Sequence, residues 1–200
     1  GNPKGVMLSF KNIFANIIAA TQKVDLIRPS DAIICLLPFH HVLPLIGNII
    51  LPLNIGCSIA ISPSLQGEDI IETLQKNKIT IIIGVPQLYA GLRNNIISKI
   101  EQSGVASFLF NLVKKTKGHN ISKKIFKAVH EKFGGNIRFF VSGGAALDKL
   151  VAEDLYTLGF EIVEGYGMTE TAPLISFTHI GKWKPGSVGF IMPDTELKFI

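Results

Sequence analysis

The residues best suited to chemistry lie in the stretch Glu164–Thr171, which reads EGYGMTET. It combines an aromatic ring, two glycines, a hydroxyl group and a carboxylate. Glycines let a backbone approach a ligand closely and adopt positive φ angles. Tyr166 offers a flat face to a purine, Thr169 a donor to a phosphate oxygen, and Glu170 a hard oxygen to Mg²⁺. The stretch fits a nucleotide-binding loop, although a Gly-aromatic-Gly pattern is also common in ordinary turns.

A short apolar run comes directly before this stretch. Phe160–Val163 predicts a buried strand, so the predicted loop would leave the carboxyl end of a strand. Open α/β sheets bind their ligands at that end. We therefore expect the stretch to lie at the ligand-binding edge of a sheet.

The amino end of the chain holds a second group of residues suited to phosphate. Gly1–Val6 joins two glycines, a proline of fixed φ and Lys4, ahead of a predicted helix that Ser9 could cap. Such a segment fits a mobile loop that closes a cation over phosphates. The pattern G-x-x-x-x-G-K-[ST] is missing from the sequence, so this is not a Walker P-loop.

Five segments resemble, in order, motifs of the adenylate-forming superfamily, which includes acyl-CoA synthetases, the adenylation domains of peptide synthetases and luciferases. They are Gly1–Val6 (the tail of the phosphate loop), Leu37–His41 (Pro-x-x-His), Ser142–Leu147 (Gly-Gly-Ala), Tyr166–Glu170 (Tyr-Gly-x-Thr-Glu) and Lys184–Gly189 (Pro-Gly-Ser-Val-Gly). Each motif alone is weak, but the ordered set covers almost the whole chain. The run GGNIRFFVSGGA at 134–145, after a helical insertion, is most similar to long-chain fatty acyl-CoA synthetases.

The resemblance implies a reaction in two halves. A carboxylate attacks the α-phosphate of ATP with Mg²⁺, and coenzyme A then displaces AMP from the acyl-adenylate. The catalytic residues would be Thr169 on phosphate oxygens, Glu170 on Mg²⁺, Lys4 as a mobile cation and His41 near the substrate carboxylate. A satisfied core histidine is the alternative for His41. The ATP- and AMP-binding residues would be Gly144, Ala145, Gly165, Tyr166, Gly167, Met168 and Thr169, with Tyr166 stacked on adenine.

The acyl pocket is expected next to these motifs. Its predicted walls are small or apolar residues that flank the motif positions: Val42, Leu45, Gly84, Val85 and Gly143. Residues of an ordinary core have the same character, so both interpretations stay open. The expected substrates are a fatty acid and coenzyme A. The alternatives are a carrier protein as the acceptor, another acyl-adenylating ligase, or a non-catalytic relative that binds nucleotide or lipid.

Several family motifs fall outside these 200 residues. They are the Thr/Ser/Gly run of the phosphate loop, the aspartate that binds ribose, the hinge and the carboxy-terminal lysine. We therefore interpret residues 1–200 as an internal part of the large N-terminal AMP-binding domain, without the C-terminal lid domain. Such a piece is expected to be inactive alone.

Composition narrows the class of protein. An apolar fraction of 47% with 18% charged residues is typical of a globular chain. Cys35 and Cys57 lie in apolar surroundings without metal-ligand spacing, which favours reduced thiols of a cytoplasmic protein. His40 and His41 have no accompanying Cys or carboxylate, so a zinc site is not expected. The oligomeric state cannot be predicted.

The positive charge is concentrated in one region. Seven lysines against one glutamate lie between Lys114 and Lys132. They fit a solvated helix face, a peripheral contact with anionic lipid, or attraction to the phosphates of coenzyme A. Aromatic residues do not alternate with the lysines, so nucleic acid is a poor fit.

Helical and strand patterns alternate along the chain, which predicts an α/β fold with a mostly parallel sheet flanked by helices. The residues 32–67 carry no formal charge, and Val42–Ile61 is long enough to span a bilayer. However, Asn54–Gly56 predicts the end of a helix inside this segment, so a buried helix followed by a strand is the preferred interpretation. A helical excursion from the sheet is expected at about 91–133. Predicted helices are Phe10–Val24, Leu43–Leu53, Glu68–Lys76, one opened by Pro86, Asn94–Lys115, Ile121–Phe133 and Asp148–Leu158; predicted strands are Ala32–Leu37, Cys57–Ile61, Thr80–Ile83, Ile137–Val141 and Glu161–Val163.

Overall fold

The computed structural model describes residues 4–22, 26–116 and 119–198. Within them, seven strands form one sheet in the order β2-β1-β3-β4-β5-β6-β7. The strands are Ala32–Cys35 (β1), Ser58–Ile61 (β2), Ile81–Gly84 (β3), Phe139–Ser142 (β4), Glu161–Gly167 (β5), Leu174–Phe177 (β6) and Phe190–Ile191 (β7).

Eight helices flank the sheet in the described part of the chain. They are Phe10–Thr21 (α1), the continuous segments Val42–Pro44, Leu45–Ile50 and Leu51–Ile55 (together α2), Gly67–Lys76 (α3), Pro86–Glu101 (α4), Gly104–Thr116 (α5), His119–Ile125 (α6), Lys127–Lys132 (α7) and Lys149–Thr157 (α8). The expected α/β fold is therefore confirmed.

The sheet is mostly parallel, as predicted. Strands β2, β1, β3, β4 and β5 are parallel to their neighbours, while β6 and β7 are antiparallel additions at one edge. The chain moves outward from β1 to β2, then returns to the other side of β1 for β3. This reversal creates a topological switch point between β1 and β3, where α/β proteins bind ligands at the carboxyl ends of the strands.

Two apolar cores lie on the two faces of the sheet. On one face, α1 and α2 pack through Ile17, Ile46 and Leu51 against strand residues such as Ile81 and Phe139. The opposite core joins α3, α4, α5 and α8 to the alternate strand residues, which include Ile34, Ile82, Phe140 and Ile162. Alternation of side chains along each strand explains why neighbouring residues belong to different cores.

Two predicted helix signals, the Ser9 cap and the helix end at Gly56, are present. Asn12 N donates a hydrogen bond of 3.2 Å to Ser9 Oγ, so Ser9 caps α1 as predicted. Gly56 ends α2 with a φ of 88°, and β2 follows. In the residues that the structure describes, no helix combines the length and apolarity that crossing a membrane would need.

The middle of α2, Leu45–Ile50, is a π-helix. Pro52 has no N–H group to donate to the carbonyl oxygen of Asn48, which loses its usual α-helical donor. The thiol of Cys35 lies 3.6 Å from that oxygen, and the side-chain amide of Asn48 donates to Ile34 O at 2.8 Å. These contacts attach the wider helical turn to β1.

Several sequence predictions need correction. The stretch Glu164–Thr171 is not one loop, because β5 continues to Gly167 by pairing with β6. The predicted helix Asn94–Lys115 is two helices, since α4 ends at Glu101 and α5 begins at Gly104. The predicted helix Ile121–Phe133 is also divided, since α6 ends at Ile125 and α7 begins at Lys127. Strands β6 and β7 were not predicted. Val24, the predicted end of α1, lies outside the described residues.

Candidate functional site

A cleft of about 770 Å³ lies at the carboxyl ends of β1, β3, β4 and β5, and so spans the switch point. Its wall combines apolar side chains, glycines and two ionisable groups, those of His41 and Glu170. The lining residues are Leu37, Pro38, His41, Val42, Leu43, Pro44, Val85, Pro86, Gln87, Val141, Gly143, Gly144, Ala145, Gly165, Gly167, Met168, Thr169, Glu170, Pro173 and Leu174.

The turn after β4 supplies one wall of the cleft. Gly143 N donates to Gly84 O at 3.2 Å, which joins the turn to the end of β3. Gly144 follows with a φ of +84°, a conformation that favours glycine. A methyl group on Gly143 would meet Leu43 Cδ2 at 3.3 Å, so a larger side chain would displace Leu43 from the wall.

The end of β5 supplies a second wall. Gly165 and Gly167 both line the cleft, and they do so on an extended strand with no positive φ. Neither glycine uses the positive φ that its residue type allows. A Cβ on Gly167 would lie 1.7 Å from Pro173 O, so glycine is required by the close approach of the chain entering β6.

Thr169 and Glu170 lie on a short 3₁₀ turn, Thr169–Thr171, at the mouth of the cleft. Thr171 Oγ1 accepts from Met168 N at 3.1 Å and lies 2.7 Å from Pro173 O, to which it can donate. Because Thr171 closes the turn, the hydroxyl of Thr169 and the carboxylate of Glu170 are exposed and available to a ligand.

The oxygen atoms of Thr169 and Glu170 at the mouth of the cleft fit a cation that is bound jointly by the protein and a ligand. Among the described residues, no group of three or more His, Cys, Asp or Glu side chains could hold a metal ion alone. Glu170 also forms no ion pair with any described residue. A single hard carboxylate beside a phosphate site matches the way Mg²⁺ is commonly held in proteins, by one or two carboxylates together with substrate phosphates.

His41 directly precedes α2 and lines the cleft. Its ring is exposed and lies 4.2 Å from the ring of His40, measured between centroids. The alternative of a buried core histidine is therefore wrong. An exposed imidazole at the edge of an apolar wall can reach a polar group of a ligand.

Four predicted site residues do not line this cleft. Tyr166 alternates with Gly165 and Gly167 on β5, and its ring is exposed. Gly84 faces α4, because a Cβ there would lie 2.6 Å from Leu88 Cδ2. Leu45 is partly exposed on the π-helix, and Lys4 is exposed near the amino end of the chain. The rest of the predicted phosphate-loop tail, Gly1–Pro3, lies outside the described residues.

The structure adds apolar wall residues that sequence reasoning missed. They are Leu37, Leu43, Val141, Pro173 and Leu174. Val141 directly precedes the Gly-Gly-Ala motif and could have been found by strand alternation. Leu174 belongs to β6, which carried no recognised strand signal.

Glu164 supports the end of β5 from the opposite face. Its side chain is buried and accepts a hydrogen bond of 2.9 Å from Trp183 Nε1. Burial raises the pKa of this carboxyl, and the bond from Trp183 offsets part of the increase. Thr178 N donates to Glu164 O at 2.9 Å, so β5 is fixed just before Tyr166.

Comparisons with known proteins found sequence relatives and solved structures of the same fold. The family model "AMP-binding enzyme" matches residues 1–200. "Long chain acyl-CoA synthetase 7, peroxisomal" from Arabidopsis thaliana is 31% identical over 215 residues, which cover 100% of this chain and 30% of that protein. ATP-bound MatB from Rhodopseudomonas palustris is 26% identical with a TM-score of 0.70, covering 96% of this chain and 32% of that one. A benzoate CoA ligase from Burkholderia xenovorans LB400, 20% identical, has the same fold, with a TM-score of 0.70 over 96% of this chain and 33% of that one.

Proposed function

The chain belongs to the AMP-binding enzyme family, and from this membership we propose that its protein activates a fatty acid with ATP and transfers the acyl group to coenzyme A. The chain spans about a third of the length of the relatives it matches. The proposal therefore concerns the protein that contains this chain. The observation that carries it is an apolar cleft at the switch point with Thr169 and Glu170 at its mouth.

The apolar lining of the cleft supports a fatty acid with a long hydrocarbon chain as the substrate. Leu37, Leu43 and Leu174 face a space whose ionisable lining groups, among the described residues, are His41 and Glu170. Burial of a hydrocarbon chain against such a wall is favourable by about 25 cal/mol per Å² of apolar surface. A short dicarboxylic acid would gain little from these leucines and would leave its second charge without a partner.

The polar groups suit the first half-reaction. An oxygen of the fatty-acid carboxylate attacks the α-phosphorus of ATP, and the bond from that phosphorus to the bridging oxygen breaks to release pyrophosphate. Thr169 would donate to phosphate oxygens, and His41 would orient the carboxylate at the edge of the apolar wall. Charge neutralisation and positioning are the main requirements of phosphoryl-type transfer.

Glu170 would hold Mg²⁺, which neutralises charge on the departing pyrophosphate when it is bound. Lys4, on the segment ahead of α1, would approach the phosphates from the amino end. Gly144, Ala145 and Gly167 would offer backbone to the nucleotide, and Tyr166, whose ring is exposed, would stack on adenine. In the second half-reaction the thiol of coenzyme A attacks the acyl carbon, and AMP leaves with the oxygen that the acid supplied.

The experiment that tests this proposal is ATP–pyrophosphate exchange by the intact protein, with palmitate, benzoate and malonate as separate acids. We expect exchange that depends on palmitate, and a rate about 100-fold lower in Glu170→Gln, because a preorganised electrostatic contact is lost. The matched control is Glu196→Gln, an exposed glutamate outside the cleft, which should exchange like wild type.

The two failures of this experiment are distinguishable. Exchange with benzoate or malonate but not with palmitate would retain adenylation and reject the fatty-acid substrate. Absence of exchange with every acid would reject adenylation and favour a non-catalytic relative that binds nucleotide or lipid. A carrier protein in place of coenzyme A would leave exchange intact and change only the final acceptor.

A further inference from the structure

Helix α5 is apolar on two sides. Phe110 and Val113 are buried in the core, whereas Val105, Phe108 and Leu112 are 72%, 65% and 47% exposed. At 3.6 residues per turn, the three exposed residues share an arc of about 60°, away from the buried pair. Only one of these two apolar sides is covered by the described residues, so a partner is expected to cover this stripe.

The surroundings of the stripe are positively charged. Lys115 follows Leu112 by three residues and Phe108 by seven, which places it beside Phe108, just outside the edge of the exposed arc of α5. Helix α5 contains no Asp or Glu. Helix α6, which contacts α5, exposes Ile121 by 52%, with Lys124 three residues further on.

Not every lysine in this region is available to a partner. Lys114 lies 2.5 Å from the buried carboxylate of Asp154, and Lys127 lies 3.4 Å from Glu131. In the part of the chain that the structure describes, Lys115 and Lys124 are exposed and form no ion pair with an acidic residue. The uncompensated charge therefore lies beside the exposed apolar residues.

We propose that the face formed by Val105, Phe108, Leu112, Lys115, Ile121 and Lys124, called the docking face below, binds the surface of an anionic lipid bilayer. Exposed Phe and Leu side chains beside lysines are typical of helices that lie in the interfacial plane of a membrane. Each lysine near an anionic leaflet adds electrostatic attraction to the lipid headgroups. A second copy of this chain is a poorer occupant, because pairing two such faces would bring lysines together. The proposal does not depend on the proposed ligase activity.

Vesicle sedimentation of the intact protein tests this proposal. We expect binding to vesicles of phosphatidylcholine and phosphatidylserine in equal parts, little binding to phosphatidylcholine alone, and release at high salt. The double variant Phe108→Ser with Leu112→Ser should lower the partition coefficient about tenfold, because it removes the apolar part of the contact. Lys115→Glu with Lys124→Glu should abolish the preference for phosphatidylserine.

Leu65→Ser is the matched control, since Leu65 is 67% exposed on the loop between β2 and α3 and should not affect binding. Thermal melts of all variants exclude unfolding as the cause of lost binding. In a second readout, Phe108→Cys labelled with an environment-sensitive fluorophore should shift to the blue with anionic vesicles. The proposal is overturned if wild type does not bind anionic vesicles, if both double variants bind like wild type, or if the apolar variant changes only the oligomeric state.

Discussion

Gly144 and Gly167 both line the cleft, but the chain requires glycine at the two positions for different physical reasons. Gly144 has a φ of +84°, which residues with a Cβ adopt at a cost. Gly167 is extended, and a Cβ there would overlap Pro173 O at 1.7 Å. Sequence analysis singled out both glycines, and both line the cleft. It could not distinguish them, because the second reason depends on β6, which comes from a later part of the chain.

The side chains of His119 and Glu161 form a partly buried pair at the amino end of β5, away from the cleft, with His119 Nε2 2.7 Å from Glu161 Oε1. Burial alone lowers the pKa of His119, but hydrogen bonds to Glu161 and to the Tyr156 carbonyl outweigh it and raise the pKa above 6.5. The hydrogen bond from His119 lowers the pKa of Glu161 below 4.5, against the opposing effect of burial.

We predict a pH-dependent loss of stability from this pair. A raised histidine pKa stabilises the fold below the unfolded pKa of about 6.5, and this contribution is lost as pH rises through the folded pKa. The lowered pKa of Glu161 has the opposite effect on the pH dependence of stability. It stabilises the folded state above the unfolded pKa of a glutamate, and this contribution is lost as pH falls through the folded pKa. Glu161→Gln should therefore cost about 1 kcal/mol near pH 5.5 and clearly less near pH 9, as measured by urea denaturation. An equal cost at both pH values would contradict the proposed protonation of His119.

At the scale of elements, the buried carboxylate of Asp154 connects three helices. Asp154 on α8 lies 2.6 Å from Arg93 Nη2 of α4 and 2.5 Å from Lys114 Nζ of α5. Its side chain is 2% exposed, whereas the two cations are partly exposed. The carboxylate therefore attaches the helical excursion, and with it the docking face, to the helix that follows β4.

Asp154→Asn should destabilise the protein by about 2–3 kcal/mol, because one side of a buried ion pair is removed while its partners retain some solvent. The matched control is Glu153→Gln, the neighbouring residue, whose exposed pair with Lys149 is 3.8 Å long and should contribute less than about 0.5 kcal/mol. Chemical denaturation measures both variants. Equal free energies of unfolding for the two variants would mean that the Asp154 network does not hold the helices together.

Most elements followed from local pattern, and the exceptions have physical causes. The isoleucine runs of β1 and β3 and the Asp148 cap of α8 are local signals, and each predicted element is present. The π-helix at Leu45–Ile50 was not predicted, and the contact of its Asn48 carbonyl with Cys35 comes from β1, outside the local sequence. The extension of β5 through Gly165–Gly167 contradicts local propensity and requires pairing with β6.

At the scale of the whole molecule, the strand order concentrates the site. The chain segments that follow β1, β3 and β4, together with the end of β5, meet at one edge of the sheet, where the order reverses. Motif order in the sequence predicted His41, Gly144 and Glu170 as site residues, and all three line one cleft. The apolar wall was not predictable in the same way, since wall and core residues have the same composition. Tyr166 and Lys4 remain predictions for the nucleotide-bound protein.

The measurement that tests the central claim most directly follows oxygen from palmitate during turnover of the intact protein with ATP and coenzyme A. Palmitate labelled with ¹⁸O in its carboxylate should transfer one labelled oxygen to AMP, because that oxygen bonds to the α-phosphorus and remains there when the thiol takes the acyl group. Mass spectrometry of AMP detects the label. Label in AMP is the predicted result; label in inorganic phosphate, or acyl-CoA formed without labelled AMP, would contradict acyl-adenylate formation in this cleft.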